Sequence, residues 1–443
     1  MTDQKASVSF GRQLLRNTGM LMGTSLIGQA AFALLFVVMA RANSPAELGT
    51  AMACYGVCLI IGDAADFGST PRTLRDAAAR KIDDAGIQNL FDTRNLLVLG
   101  VALLWLLSTP WTPLDLVESL AVAVFTVLRV NEVAVQGLLQ SNEQFLDASR
   151  VTVAERAMTL LVGGILIFSG CPAVLAFFAA LSTGALTGLL LARSRCRRAV
   201  SLRIGFQALR QLGPYLAYGK VFALSGLITN FLMLDAVIIT VLAGAEQAGF
   251  FAIGARLTGP FGVVSTSLGS ALTPRVSAVS DRRNLFRGLL VAAGITLGVT
   301  AVALGVVFLA AGHLVDLLFG SEYTSSVVVV RAYALAGIVV SATQPLASYL
   351  QASGRATGTA WALTLGVSTH LALVAYGSAV DGAAGAARGY LFANLLVLVL
   401  LGLLLRTGGR EEKMPEDGPA APAPAPAIDL ATLNDDTGTA RVR

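Results

Sequence analysis

The chain has 443 residues, 55% of them hydrophobic and only 13% charged, with a formal net charge of +5 at pH 7 and a mean hydropathy of +0.71. That is far more apolar surface than a water-soluble core can hide, so the composition excludes an ordinary soluble domain and implies a polytopic membrane protein.

Twelve mostly apolar runs recur along the chain, long enough at roughly 1.5 Å per residue to cross a hydrocarbon core of about 30 Å. They fall near Leu14–Met39, Gly49–Phe67, Asn95–Ser108, Leu116–Leu139, Val151–Phe168, Val174–Leu191, Tyr215–Leu242, Gly249–Leu272, Leu285–Ala311, Ser325–Leu350, Thr357–Tyr376 and Ala383–Leu405. The third is short and is placed to begin nearer Leu90. In lipid every backbone group must be satisfied internally, and these runs are too continuously apolar for the alternating strands of a barrel, so the fold is all-α. The first run follows Lys5, Arg12 and Arg16 and ends in a small-residue stretch like a cleavage site, but it exceeds the length of a signal-peptide core and is read as uncleaved.

Most Lys and Arg residues fall before the first run, between the second and third, around Arg193–Arg210, around Arg275–Arg287 and in the tail. All of these lie on one side if the runs alternate in direction, which places both termini in the cytoplasm. The basic balance therefore reports topology and contact with anionic lipid, and calls for no nucleic acid. The opposite loops are short, too short to fold into an enzyme domain. Cys54 and Cys58 sit one turn apart and read as small packing residues; with two histidines in the chain, neither a metal site nor a cofactor is expected. The Ala-Pro-rich tail reads as disordered.

Internal echoes organise the runs. "SPAELGTAMA" from Ser44 is matched 200 residues later by "GAEQAGFFAI" from Gly244, aligning Gly49 with Gly249, and "LLQSNEQF" from Leu138 is matched by "YLQASGRA" from Tyr349. With six runs on either side of the basic segment, these predict two six-helix lobes around a central cavity: residues 1–192, a linker 193–213, residues 214–406 and a tail 407–443.

The stretches "LLRNTGMLMGTSLIGQ", "ARANSPAELGTAMACYGV", "DAADFGSTPRTLRDAAAR", "GLLQSNEQF" and "AGFFAIGARLTGPFGVVSTSLGSALTPRVS" resemble the polysaccharide transporter branch of the multidrug/oligosaccharidyl-lipid/polysaccharide flippase superfamily. The resemblance covers Leu14 to Leu405 and implies a bacterial inner-membrane flippase rather than an enzyme. Its implied task is to move an undecaprenyl-pyrophosphate-linked oligosaccharide to the periplasmic leaflet by alternating access. The implied partners are that lipid-linked oligosaccharide, membrane lipids, a proton or sodium ion, and a polysaccharide polymerase with its export machinery. A cation-coupled multidrug antiporter of the same superfamily is the alternative.

An anionic diphosphate crossing the bilayer needs fixed cations in a wet path. On a helical wheel, Glu118, Phe125, Arg129, Glu132, Gln136 and Gln140 of the fourth run share one face, with Asn131 opposite. The stripe reads either as a cavity wall or as a buried Arg129–Glu132 pair locking neighbouring helices. Lys220, Arg256, Arg331 and Arg388 complete the candidate substrate contacts, though Arg331 and Arg388 lie near span ends where long side chains reach the headgroups. Asp235, isolated in an apolar run, and Glu132 are the candidates for ion coupling; Asp63 and Asp66 are expected to pair with Arg72 and Arg75. Pro260 and Pro345 are expected to bend their helices.

Overall fold

The computed structural model describes the main chain of residues 2–78, 82–196, 210, 212–213, 215–216, 231–278, 282–352 and 355–406, and their side chains except 2–18, 21–22, 75, 78, 263–278, 282–292, 352 and 356. Most of the basic linker, much of the seventh expected span with Lys220, and the tail lie outside the described residues.

The described chain forms α1 (Thr2–Ala42), α2 (Pro45–Asp66), α3 (Ser69–Ala78), α4 (Asp84–Leu107), α5 (Leu116–Ser141), α6 (Phe145–Phe168), α7 (Ala173–Arg195), α8 (Asp235–Ala243), α9 (Ala245–Ala278), α10 (Arg282–Phe319), α11 (Ser326–Ala352) and α12 (Ala356–Arg406). No strand occurs among the described residues. Nine of these helices contain a stretch long and apolar enough to cross a membrane, and α12 is two helices joined across a break at Asp381 and Gly382, whose φ of 55° with ψ of −138° suits glycine. The tenth and eleventh helices thus match the ninth and tenth runs, and α12 carries the last two.

Local chemistry sets the helix starts. Ser44 and Glu47 form a reciprocal capping box on α2, Asp115 and Glu118 do the same on α5, and the Asp83 carboxylate caps α4 by accepting from Gly86 N at 2.8 Å. Cap signals of this kind start α4 at Asp84, eleven residues before the apolar run at Asn95 and six before Leu90, so Arg94 lies well inside the helix. Both Pro260 and Pro345 sit within helices that continue through them.

Leucines, valines and aromatics point outward along the helices: Leu103, Leu104 and Leu107 on α4, Leu161, Ile165 and Phe168 on α6, Val302, Val306 and Leu309 on α10. In water such a surface would be untenable; in a bilayer it is the solvent-facing side.

The helices alternate in direction, giving one face with the tight turns at 43–44, 108–115, 169–172, 244, 320–325 and 381–382, and an opposite face with the more basic connections. Helices α5, α6 and α7 pack together with α1 against α6; α9 to α12 pack among themselves; the two sets meet chiefly where α1 and α2 cross α8 and α9. At that crossing the echoed glycines touch reciprocally. A Cβ on Gly49 would lie 1.8 Å from the Ala245 carbonyl oxygen, and one on Gly249 would lie 2.0 Å from that of Pro45. The second echo also has a structural counterpart: Gln144 N donates to Leu139 O and Arg355 N to Leu350 O, both at 2.9 Å.

The tight-turn face is closed by further contacts between the sets. The Arg41 guanidinium at the end of α1 donates to the last carbonyls of α10, to Leu318 O through Nε at 2.9 Å and to Leu317 O through Nη2. Tyr323 OH donates to Asn43 O at 3.0 Å, and Phe36, Phe319, Tyr323 and Phe250 form an edge-on aromatic group beneath.

Candidate functional site

The polar stripe of the fourth run sits on α5, but the fold divides it by depth. Glu118 is consumed by the helix cap, and Phe125 is buried among Tyr55, Phe177 and Phe178. The middle of the stripe is a charged network between α5 and α6. Arg129 Nη1 lies 2.5 Å from Glu132 Oε2 and 3.4 Å from Glu155 Oε1, and Arg156 Nη2 lies 3.6 Å from the same Glu155 oxygen. Gln136 Nε2 donates to the other Glu132 oxygen. Glu132 is fully buried, and its carboxylate rests on Gly188 of α7, where a Cβ would come within 3.0 Å of Oε1. Two guanidiniums and two carboxylates therefore tie α5 to α6, with α7 giving space through a glycine. Gln140 lies half-buried in the last turn of α5.

The network is also reachable from a cavity. Between α2, α3 and α5 lies a space of about 360 Å³, lined by Cys58, Gly62, Asp63 and Asp66 of α2, Thr70 and Pro71 of α3, and Phe125, Thr126, Arg129, Val130 and Val133 of α5. It occupies the half of α2 nearer the basic face. Arg129 is 30% exposed while its partner Glu132 has none, so one side chain belongs both to a cavity wall and to a lock.

Of the α3 arginines expected beside Asp66, the Arg75 side chain lies outside the described residues. The Asp66 carboxylate holds the start of α3, accepting from Ser69 Oγ (2.7 Å), Thr70 Oγ1 (2.8 Å) and Thr70 N (3.0 Å), while Arg72 forms an ion pair with Asp76 at 3.6 Å. The three donors lie about one turn from Asp66, which gives the carboxylate the geometry of a helix cap. Nearby, Arg94 is 1% exposed and donates to Asn131 Oδ1 at 2.8 Å, with its Nε unpartnered and its guanidinium 4.1 Å from the Phe91 ring centre. Asn131, on the back of the stripe, is thus the partner of an arginine on α4.

Arg256 of α9 lies where the two helix sets meet. Its guanidinium stands 4.6 Å from the ring centre of Phe32 and 5.8 Å from those of Phe36 and Tyr55, with Met52 Sδ 3.8 Å from Nη2. No carboxylate among the described residues pairs with it, and its Nε has no hydrogen-bond partner. Arg156 stands 5.7 Å from the same Phe32 ring, so Phe32 separates the cation of α9 from the charged network of α5 and α6.

Asp235 is not isolated. His370 Nε2 of α12 lies 2.7 Å from Asp235 Oδ1, both side chains are buried, and Tyr390 packs edge-on to the imidazole at 5.3 Å. The signal available in the sequence was a lone histidine in an apolar span. Asp235 opens α8 directly after a 3₁₀ turn at Phe231–Leu234, a break in helix type at a buried acid. The remaining candidates lie elsewhere. Arg388 is 57% exposed and pairs with Asp381 at 2.7 Å across the α12 break; Arg331 is exposed in the second turn of α11, 5.7 Å from the Phe308 ring. Both are at the tight-turn face and neither joins the Arg129 or Arg256 groups.

A bundle of apolar helices, nine of them long and apolar enough among the described residues to cross a membrane, packed at glycines and holding buried charges between helices, has the architecture of a polytopic membrane protein. Solved structures share it. A lipid II flippase, MurJ, in an inward closed conformation matches with a TM-score of 0.71 at 12% identity, covering 87% of this chain and 87% of that one. An inward-facing multidrug resistance transporter of the MATE family matches at 0.66 and 14% identity, covering 86% and 94%. An outward-facing multidrug resistance transporter of the MATE family matches at 0.57 and 16% identity, covering 88% and 95%. No curated protein sequence matches the chain. The family model described as polysaccharide biosynthesis protein matches residues 18–328, and the chain belongs to that family. The resemblance read from the sequence stands, with a family match that ends at the start of α11.

Proposed function

We propose that the protein is a flippase that carries an undecaprenyl-pyrophosphate-linked oligosaccharide from the cytoplasmic to the periplasmic leaflet of the bacterial inner membrane, for surface polysaccharide assembly. The observation that carries this reading is Arg256: a cation without a carboxylate partner among the described residues, at the junction of the two helix sets, in a chain of the polysaccharide biosynthesis family. A buried unpaired guanidinium is costly unless something anionic meets it, and a lipid diphosphate is such a group. Arg129, on the cavity wall, is the second contact. The two lobes, 1–192 and 214–406, are taken to rock about the Gly49–Gly249 crossing, with the basic face cytoplasmic. The closed tight-turn face then makes this conformation inward-facing. The Asp235–His370 pair is a second buried group able to exchange a proton.

The multidrug antiporter reading has one observation in its favour: Asp63 and Asp66 line the same cavity as Arg129. Against it, the aromatic group of Phe32, Phe36 and Tyr55, where a cationic drug would stack, already faces Arg256. The test is substitution of Arg129 and of Arg256 separately by alanine, with surface polysaccharide measured at matched protein levels. Loss of export is expected for each; undiminished export in both would sink the cationic-path reading.

A further inference from the structure

Arg129 belongs to two structures that compete for it. On one side it lines the cavity between α2, α3 and α5; on the other it holds Glu132 at 2.5 Å and Glu155 at 3.4 Å. Its charge is already matched, since the α5–α6 network contains two guanidiniums and two carboxylates. An anion that enters the cavity and bonds to Arg129 must therefore draw on a cation that two buried carboxylates are using.

Among the described residues the carboxylates have no other cation able to replace it. Facing the network from α2 are Asp63 and Tyr55; from α6, Glu155 itself and Arg156; from α7, Gly188 against Glu132 and Gly184 against the Glu155 main chain; and Arg256 of α9 acts on Arg156 from beyond Phe32. Arg156 touches Glu155 alone among the two acids, at 3.6 Å. Glu132 would keep the Gln136 amide as its hydrogen bond and, among cations, only the longer-range field of Arg156. Two buried carboxylates with one guanidinium between them, beside a newly bound anion, cannot both stay charged in a low-dielectric setting.

We propose that Glu132 and Glu155 form a proton site linked to the Arg129 anion site, so that binding an anionic diphosphate at Arg129 and taking up a proton at this carboxylate pair are one coupled event. The proposal rests on the flippase reading for the identity of the anion, and it names the proton as the ion that accompanies it. The proton comes from water and adds to a carboxylate oxygen; no bond in the ligand is made or broken. By linkage, affinity for the anion is highest at low pH and falls as pH rises through the range where the bound form still holds the proton and the free form does not, by up to about tenfold per pH unit for one proton.

The test uses the full chain in detergent micelles with farnesyl pyrophosphate as the probe. Calorimetric titration in two buffers of different ionisation heat gives the protons taken up on binding. Wild type is expected to take up about one proton more than the Glu132→Gln/Glu155→Gln double variant, a difference that removes the titration of the probe itself. Glu155→Gln alone, which leaves Glu132 and Arg129 in place, is expected to bind the probe more tightly than wild type at neutral pH and with a flatter pH dependence; it keeps the test informative if the double variant does not fold. Equal proton uptake in wild type and the carboxylate variants overturns the proposal, as does uptake that disappears only in Asp235→Asn. Arg129→Ala separates the two readings. If it leaves probe binding intact, the anion site itself fails; if it abolishes binding while the carboxylate variants leave uptake unchanged, only the proton linkage fails.

Discussion

Replacing Gly49 by alanine puts a methyl group where the Ala245 carbonyl oxygen already sits, 1.8 Å from the new Cβ against the 3.4 Å of ordinary contact. A backbone carbonyl in a helix cannot rotate aside, so α2 and α9 have to part by roughly 1.5 Å at their crossing. A gap of that size forfeits much of the dispersion energy across the seam, which includes the buried Leu48, Met52, Ala248 and Ile253. Overpacking of this kind costs about 1–3 kcal/mol, and the rigid obstacle puts Gly49→Ala at the upper end. The better helix propensity of alanine returns ~1 kcal/mol, leaving a net loss of about 1–2 kcal/mol. Gly249→Ala meets Pro45 O at 2.0 Å and should lose as much. The double variant should lose little more than either single one, because the helices part only once. The assay is reversible unfolding in mixed micelles followed by circular dichroism. Gly100→Ala, whose Cβ meets nothing within 4 Å, serves as the control and should be neutral or slightly stabilising. Single variants as stable as Gly100→Ala, or losses that simply add in the double variant, would refute the close reciprocal crossing.

Arg94→Ala should cost about 3–5 kcal/mol, since it removes a fully buried side chain and strands Asn131, whereas Arg94→Met, which keeps the volume, should recover a good part; denaturation midpoints decide between them. Asp235→Ala and His370→Ala should each destabilise strongly, and the double variant by less than their sum; additive losses in that cycle would deny the 2.7 Å pair. Arg41→Gln removes donors from the end of α10 and should speed labelling of Asn43→Cys by a water-soluble maleimide in a background lacking the native cysteines; an unchanged rate would show that Arg41 does not hold the tight-turn face shut. Asp381→Asn breaks an ion pair whose partners are 50% and 57% exposed, so both stability and export should be close to wild type, with a loss under about 1 kcal/mol.

The amino-acid sequence by itself determined what depends on composition and on neighbours along the chain. Apolar runs gave the membrane-spanning helices, caps such as Ser44–Glu47 and Asp115–Glu118 are written in nearby residues, and Arg129 and Glu132, three apart on one helix, share a face within reach of each other. The echo that aligned Gly49 with Gly249 pointed to two positions of one kind, but not to their touching. Tertiary structure alone decided which helix each face meets. Helical periodicity says which residues share a side and nothing about what lies opposite, because the partner is fixed by packing over long separations: Asn131 for Arg94 37 residues on, His370 for Asp235 135 residues on, Leu318 for Arg41 277 residues on. For the same reason Arg129 could not be assigned from the sequence to cavity or lock. Glu155, on the next helix, closes the lock, while Asp63 and Thr70 frame the cavity, and only folding brings both to one guanidinium.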